Sequence, residues 1–429
     1  MLTTLKDKFH RESKGDVLIV DPPWDVFDET KNGARASSRW PHEYPPNRIQ
    51  SCMPFFMAYA CAFLIEKGVD AHMTLFSPPR VPYIAFLDEI AKRRYHTVFV
   101  ETAAATAKSD LRFCQDLKEK LDCKIALVGG HASASAEACL DHEAVDAVIK
   151  GEYEQNAFDF VHSGKSGIYD YQIIPDINTL PFPKRRDILF GEVQSNNGTF
   201  RAKNKQQFQM LGSRGCPFKC SFCMYPPVMY NNTPYRPRNA DNIAAELDHL
   251  IRITGGNRFH IWFDDDTFNI GHKRMIEIAD AFRKRHIQYA AMCRADTIRD
   301  FSVLKHMAEC GFMGCAVGVE SGCQELVDSC NKDLKLDDVI RFRDWCKKLN
   351  IAIHMTFTMG LKGETQETIK RTRDFIKKVN PDSFQMSGCS PVKGTAYHDY
   401  LTAKGVIHED TKLDGSTILN LEEHHATVQ

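Results

Sequence analysis

Three cysteines lie within eight residues, Cys216-Pro-Phe-Lys-Cys220-Ser-Phe-Cys223, at C-x3-C-x2-C spacing. Thiolates this close on one loop can wrap a single metal centre. A structural zinc site asks for four ligands, usually as two C-x2-C pairs. Here there are three, and no His or fourth Cys follows nearby. An iron–sulfur cubane is held by Cys thiolates, one per iron. Three thiolates leave one iron open, which suits chemistry rather than structure. The spacing therefore points to a [4Fe-4S] cluster, ahead of a zinc knuckle or a chance grouping of buried cysteines.

The elements around the triplet follow a regular rhythm. Segments 207–211, 258–263, 289–294, 314–320, 352–359 and 383–388 are strand candidates. Between them, 240–253, 273–285, 300–310, 336–349 and 365–379 read as helices. A doubly wound sheet and an incomplete βα barrel both fit this alternation. Either one puts the active site at the carboxyl ends of the strands. The cysteine loop follows the first strand, and polar residues follow the others: Asp264-Asp265-Asp266, Arg294, and Gly318-Val319-Glu320-Ser321.

With aromatic Phe222 before its last Cys, the triplet resembles the radical S-adenosylmethionine (SAM) superfamily, over about 207–395. The resemblance implies a partial (β/α)6 barrel and a cluster whose open iron takes the amino and carboxylate groups of SAM. It implies SAM contacts from Phe222, Asp265, Arg294, Glu320 and Ser321, with Glu320 on the ribose hydroxyls and Arg294 on the carboxylate. The segment 359–365, MGLKGET, is similar to the family's GLPGET turn, with Lys362 in place of Pro. A low-potential electron donor of flavodoxin or ferredoxin type is a further implied partner.

The N-terminal part has its own βα rhythm. Strands are expected at 16–21, 97–101, 124–128 and 147–149, and helices at 54–67, 109–121 (Ser109 as N-cap) and 134–142. No G-x-G-x-x-G fingerprint is present. The strand-end residues Thr102, Gly129-Gly130-His131, Ser133 and Gly151-Glu152 resemble the cobalamin-binding domain that precedes many radical SAM barrels. The resemblance implies cobalamin contacts from Thr102, Gly129, Gly130, Ser133 and Gly151. The Asp-x-His-x-x-Gly loop that supplies a cobalt-binding His elsewhere is missing, and His131 reads as a packing residue. The expected organisation is α/β: a Rossmann-like cobalamin-binding domain over 1–155, a linker over 156–206, the barrel over 207–395 and a short peripheral tail over 396–429.

Composition bounds the rest. The chain has 429 residues, net charge −1, 43% hydrophobic and 26% charged residues, and 15 cysteines. Near-zero charge gives no general reason to bind nucleic acid or an anionic membrane. An odd number of scattered cysteines fits a reducing compartment. The longest apolar stretch, 52–65, is shorter than the ~20 residues that span a bilayer. The expected location is the cytoplasm.

The combined expectation is a cobalamin-dependent radical SAM methyltransferase acting on a small-molecule intermediate, at an unactivated carbon or phosphorus. The alternatives are cyclisation, rearrangement or oxidation without methyl transfer, a tRNA methylthiotransferase, and a non-catalytic cobalamin or redox sensor. Cys52, Cys61, Cys114, Cys123 and Cys139 do not form the second cluster motif of a methylthiotransferase. The loop SSRWPHEYPP at 37–46 is a candidate wall for the substrate.

Overall fold

A computed structural model of the chain describes residues 16–24, 26–27, 53–76, 82–188 and 206–408, with strand backbone alone at 34–35, 43–44 and 191–192. Apart from the backbone of Glu43–Tyr44, the 37–46 loop lies outside the described residues, as does the tail from 409. The described residues form two compact units, one reaching Ile174 and resuming at Leu180, the other holding Pro175–Thr179 and everything from 206.

The first unit is a six-stranded sheet of β1 (Val17–Asp21), β2 (Ala71–Leu75), β3 (Thr97–Glu101), β4 (Lys124–Val128), β5 (Ala147–Ile149) and β6 (Gly167–Tyr169), in the order β2-β1-β3-β4-β5-β6. Every pairing is parallel. β1 is buried along its whole length, as its unbroken VLIV run requires of a strand covered on both faces. The chain leaves β2 and returns past β1 to start β3. That reversal makes a topological switch point between the carboxyl ends of β1 and β3. Helices α1 (Phe55–Glu66), α2 (Tyr83–Ala91), α3 (Ala107–Lys120), α4 (Gly130–Ala134), α5 (Ala136–Leu140) and α6 (Glu154–Ser163) complete it. Phe86, Phe113, Leu117, Val98 and Ile125 share one of its cores.

Three details differ from the sequence reading. α3 begins at Ala107, so Ser109 is not its N-cap; Ser109 lies inside the helix and accepts the Val26 N–H at 2.8 Å. The helix expected at 134–142 is two short helices, α4 and α5. α6 and β6 carry the first unit past residue 155.

The second unit is also a six-stranded parallel sheet: β7 (Gln206–Met210), β8 (Phe259–Phe263), β9 (Gln288–Cys293), β10 (Phe312–Glu320), β11 (Ala352–Met359) and β12 (Ser383–Gly388). Their spatial order is their chain order. With no reversal the sheet is an open barrel of the βα type rather than doubly wound. Helices α7 (Ala240–Thr254), α8 (His272–Arg285), α9 (Phe301–Glu309), α10 (Gln324–Ser329), α11 (Leu336–Lys348) and α12 (Gln366–Val379) connect the strands. β11 shows the two-residue period of a strand: Ile353, Met355 and Phe357 enter the helix-covered core, while His354, Thr356 and Thr358 are half-buried on the other face.

The helices start where local chemistry supplies a partner for free N–H groups. The Asn239 side chain accepts the Asn242 N–H at 2.8 Å, and Thr365 and Thr368 cap α12 reciprocally. Beyond β12, α13 (Ala396–Ala403) is packed rather than peripheral. Tyr397, Leu401 and Ile407 are buried with Leu326 and Leu361. Among the described residues no helix is long and apolar enough to cross a membrane.

Candidate functional site

The cysteine loop leaves the carboxyl end of β7 and is held from below by charges. Arg238, buried against Glu246 at 2.6 Å, donates to the Leu211 carbonyl at 2.8 Å. Arg274 donates to the Gly212 carbonyl at 2.6 Å. Asp265 is fully buried and accepts from the Gly212 N–H at 2.8 Å and from the Ser213 hydroxyl. Asp266 accepts the Gly215 N–H at 3.1 Å, and the Thr267 hydroxyl lies 3.3 Å from Cys216 Sγ. The acidic run at the end of β8 thus serves the loop. Asp265, expected to face SAM, has both oxygens engaged by loop donors.

The loop's far side is tied to the segment after α10. The Ser221 N–H donates to the Cys330 carbonyl at 2.8 Å, and the Asn331 amide to the Lys219 carbonyl at 2.9 Å. Phe222, also expected at SAM, packs against the cluster of Cys323, Leu326, Cys330, Leu361, Tyr397 and Leu401. It anchors the motif by apolar contact.

The three thiols suit a multi-iron cluster. Among the described residues they do not gather within 4.8 Å of one another. A single tetrahedral ion with 2.3 Å bonds to sulfur needs sulfurs about 3.8 Å apart. A cubane, with one thiolate per iron, asks for the wider cradle. Burial pushes all three thiols up. At Cys220 the positive charges of Lys332 and Arg294 work against that rise. Binding iron removes the protons that burial otherwise retains.

Arg294 and Glu320 come together beside this loop through a residue that sequence reasoning missed. Lys332 is buried, and its Nζ lies 2.8 Å from Glu320 Oε1. Thr358 donates to Glu320 Oε2 at 2.6 Å. Arg294 pairs with Asp296 through Nε and Nη2 at 3.0 and 2.9 Å. Its Nη2 also reaches the Lys332 carbonyl at 2.8 Å, and its guanidinium lies 3.4 Å from the centre of the Phe218 ring. One chain of contacts therefore runs from the cysteine loop to the end of β11: Phe218, Arg294, Lys332, Glu320, Thr358. Glu320 sits at φ +70°, where the β10–β11 register shifts. Such strain costs on the order of 1–3 kcal/mol and persists where the surroundings over-determine it.

Ser321 turns the other way. Its hydroxyl lies 3.0 Å from that of Thr372 on α12 and accepts the Cys323 N–H at 3.1 Å. It joins strand end to helix instead of lining the space beside Glu320. In the 359–365 turn, Glu364 accepts the Gly360 N–H at 2.6 Å, with Gly360 at φ +85°.

The expected cofactor residues of the first unit meet at the carboxyl ends of β3, β4 and β5. Ser133 donates to the Gly129 carbonyl at 2.7 Å and accepts the Gly151 N–H at 2.8 Å, tying two turns together. Gly130 opens α4, and the His131 N–H reaches the Thr102 carbonyl at 3.3 Å. Gly129 takes φ +96°, and a Cβ there would meet the Thr102 carbonyl at 2.9 Å. The Thr102 hydroxyl is buried and has no hydrogen-bond partner. The Gly129 turn therefore packs backbone to backbone against Thr102, an approach that only glycine allows.

The residues missed from sequence are Lys332, Thr358, Asp296 and Phe218. Asn331-Lys332-Asp333 is a turn signal, with Asn331 and Asp333 at φ +55° and +52°. Nothing local marks Lys332 as the partner of a carboxylate 12 positions earlier.

Comparison with known proteins agrees with this geometry. Residues 210–376 match the Radical SAM superfamily. An uncharacterised methyltransferase of Pyrococcus horikoshii is 24% identical over 330 residues, 71% of this chain and 69% of that one. The bacteriochlorophyllide d C-12(1)-methyltransferase of Chlorobaculum tepidum is 24% identical over 311 residues, 71% of this chain and 65% of that one. In three dimensions the chain shares the fold of TsrM from Kitasatospora setae, a radical SAM methyltransferase whose structure holds cobalamin and a [4Fe-4S] cluster. The TM-score is 0.66 at 15% identity, over 91% of this chain and 75% of that one. Residues 210–376 thus form a radical SAM domain, the kind of domain that works with a [4Fe-4S] cluster and SAM.

Proposed function

We propose that this enzyme is a cobalamin-dependent methyltransferase acting on an unactivated carbon or phosphorus of a small-molecule biosynthetic intermediate. The observation that carries the reading is the likeness to TsrM over 91% of the chain, which takes in both units. The buried, unpartnered Thr102 hydroxyl beside the Gly129 turn supports cobalamin in the first unit. When bound, the cluster supplies the electron that splits SAM, and cobalamin supplies a carrier for the methyl group.

The roles of the chain's own residues follow from their contacts. Cys216, Cys220 and Cys223 hold the cluster. Glu320 receives the ribose hydroxyls of SAM: an ionised carboxylate has about four acceptor positions, and Lys332 and Thr358 occupy two. Lys332 holds Glu320 in place through its 2.8 Å contact. Arg294 offers its Nη1 edge to the SAM carboxylate, since its internal bonds use Nε and Nη2. Asp265, Ser321 and Phe222 position the loop and the strand end. Thr102, Gly129, Gly130, Ser133 and Gly151 form the cobalamin floor. The electron comes from a low-potential protein of flavodoxin or ferredoxin type, and the enzyme works in the cytoplasm.

The test is anaerobic reconstitution with iron, sulfide and hydroxocobalamin, then incubation with SAM and a low-potential reductant. Cobalamin-dependent formation of S-adenosylhomocysteine alongside 5′-deoxyadenosine is expected. 5′-Deoxyadenosine alone, from protein that retains no cobalt, would overturn methyl transfer in favour of a radical cyclisation, rearrangement or oxidation.

A further inference from the structure

At the opposite end of the barrel from the cysteine loop, a second group of metal-ligating side chains converges. His306 lies near the end of α9 and Cys310 just beyond it, before β10 begins at Phe312. Their i, i+4 spacing sets both on one helical face. Asp280 of α8 lies against them. Its Oδ1 is 2.9 Å from His306 Nε2, and Cys310 Sγ is 3.6 Å from the same nitrogen. Among the described residues this is the one group of three or more His, Cys, Asp or Glu whose ligand atoms all lie within 4.8 Å.

Protons satisfy only the His306–Asp280 pair of this arrangement. A neutral imidazole nitrogen is either a donor or an acceptor. With a proton on Nε2, His306 donates to Asp280, and the Cys310 S–H finds no lone pair there. Without that proton, His306 accepts from Cys310 and faces Asp280 lone pair to lone pair. Arg283 approaches the same Asp280 oxygen only to 3.7 Å, beyond hydrogen-bond distance. A divalent cation engages all three groups at once, taking one lone pair from each.

We propose that Asp280, His306 and Cys310 form a second metal site, distinct from the cluster, for a single zinc ion. The S/N/O ligand set is borderline-soft, which favours zinc over magnesium or calcium. Tetrahedral zinc places N and S about 3.6 Å apart and N and O about 3.4 Å apart. The first separation is already present and the second needs a small opening. Asp280 and His306 are 43% and 27% exposed, so water takes the fourth position. The ion staples α8 to α9 near the amino end of β10, an end of such barrels that serves stability.

The experiment uses cluster-loaded enzyme, so that Cys216, Cys220 and Cys223 are occupied, and titrates zinc in competition with a chromophoric chelator. One zinc per chain beyond the cluster iron is expected. Outer-shell partners alone are worth about 10–100-fold in metal affinity. Loss of a direct ligand in His306→Gln, Cys310→Ser or Asp280→Asn should therefore weaken binding by about 100-fold or more, with cluster iron and SAM cleavage unchanged. Zinc should raise the Tm of wild type and not of Asp280→Asn, whose exposed side chain makes misfolding a poor explanation. Wild-type enzyme that takes up no extra zinc would overturn the proposal, leaving a plain His306–Asp280 ion pair. Equal zinc binding by all three variants would overturn it too.

Discussion

Both units are six-stranded parallel sheets, yet they finish their carboxyl ends differently. The first unit sets backbone and small groups beside buried acidic side chains: the Gly129 and Gly151 turns, the Ser133 hydroxyl that ties them and the buried Thr102 hydroxyl, with Asp21, Glu101 and Glu152 buried at the same strand ends and no buried Lys or Arg among these groups. The second uses buried charge: Asp265 under the cysteine loop, Arg294 on Asp296, and Lys332 on Glu320. The difference matches what each end is proposed to receive. A wide ring needs close backbone approach. A zwitterion bearing a sulfonium needs fixed charges held in low dielectric, where they act strongly. Connectivity adds to the contrast, since the first sheet makes its opening by reversing strand order and the second by curling without reversal.

The comparison breaks most visibly at Lys332. Replacing it by Met leaves Glu320 buried without its charge partner, and losing one member of a buried pair costs about 3–5 kcal/mol. Urea unfolding of Lys332→Met should show a loss of that order, together with weaker SAM binding. A loss under about 1 kcal/mol would mean the pair is effectively solvated. The corresponding break in the first unit is Gly129→Val. It forces an L side chain to φ +96° with its Cβ 2.9 Å from the Thr102 carbonyl, for a loss of about 2 kcal/mol. Cobalamin retention should fall while cluster iron stays at the wild-type level.

Thr102→Val sharpens the contrast. Replacing an unsatisfied buried hydroxyl by a methyl group is close to neutral for folding. The apo protein should therefore keep its stability within about 1 kcal/mol, while cobalamin affinity drops. A large loss of apo stability would show that the hydroxyl already has a structural partner. The smallest effect belongs to His354, whose imidazole pKa is lowered by burial from the ordinary 6.5. The folded state then binds fewer protons than the unfolded state. Stability should be full above pH 6.5 and decline as pH falls below it. His354→Gln should flatten that slope in thermal unfolding followed from pH 8 to pH 5.

Much of the architecture was legible because β8 to β11 of the second unit are mainly apolar and are separated by amphipathic helices, and the cysteine spacing is short enough to stand alone. β2 was not legible: its sequence AHMTL mixes His72 and Thr74 with apolar neighbours, so neither period dominates. β6 is three residues long. Ser109 looked like a cap because Ser before an apolar run usually is one, but α3 starts upstream of it. At the site, the sequence marks residue types at strand ends but not the directions of their side chains. Arg294 and Glu320 stand beside the cysteine loop, whereas Asp265, Ser321 and Phe222 turn toward the loop, α12 and the C-terminal cluster. A strand end can aim its side chains at a ligand or at a neighbouring element, and tertiary packing decides which.

The account's central claim is that one chain serves two large cofactors from two separately built ends. The direct measurement is the iron and cobalt content of anaerobically reconstituted wild type, the Cys216→Ala/Cys220→Ala/Cys223→Ala variant and Gly129→Val, each after gel filtration. Wild type should hold about four irons, as a [4Fe-4S] cluster requires, and one cobalt. The cysteine variant should lose the iron and keep the cobalt, and Gly129→Val should do the reverse. Wild type without cobalt, or a cysteine variant that keeps its cluster iron, would contradict the account.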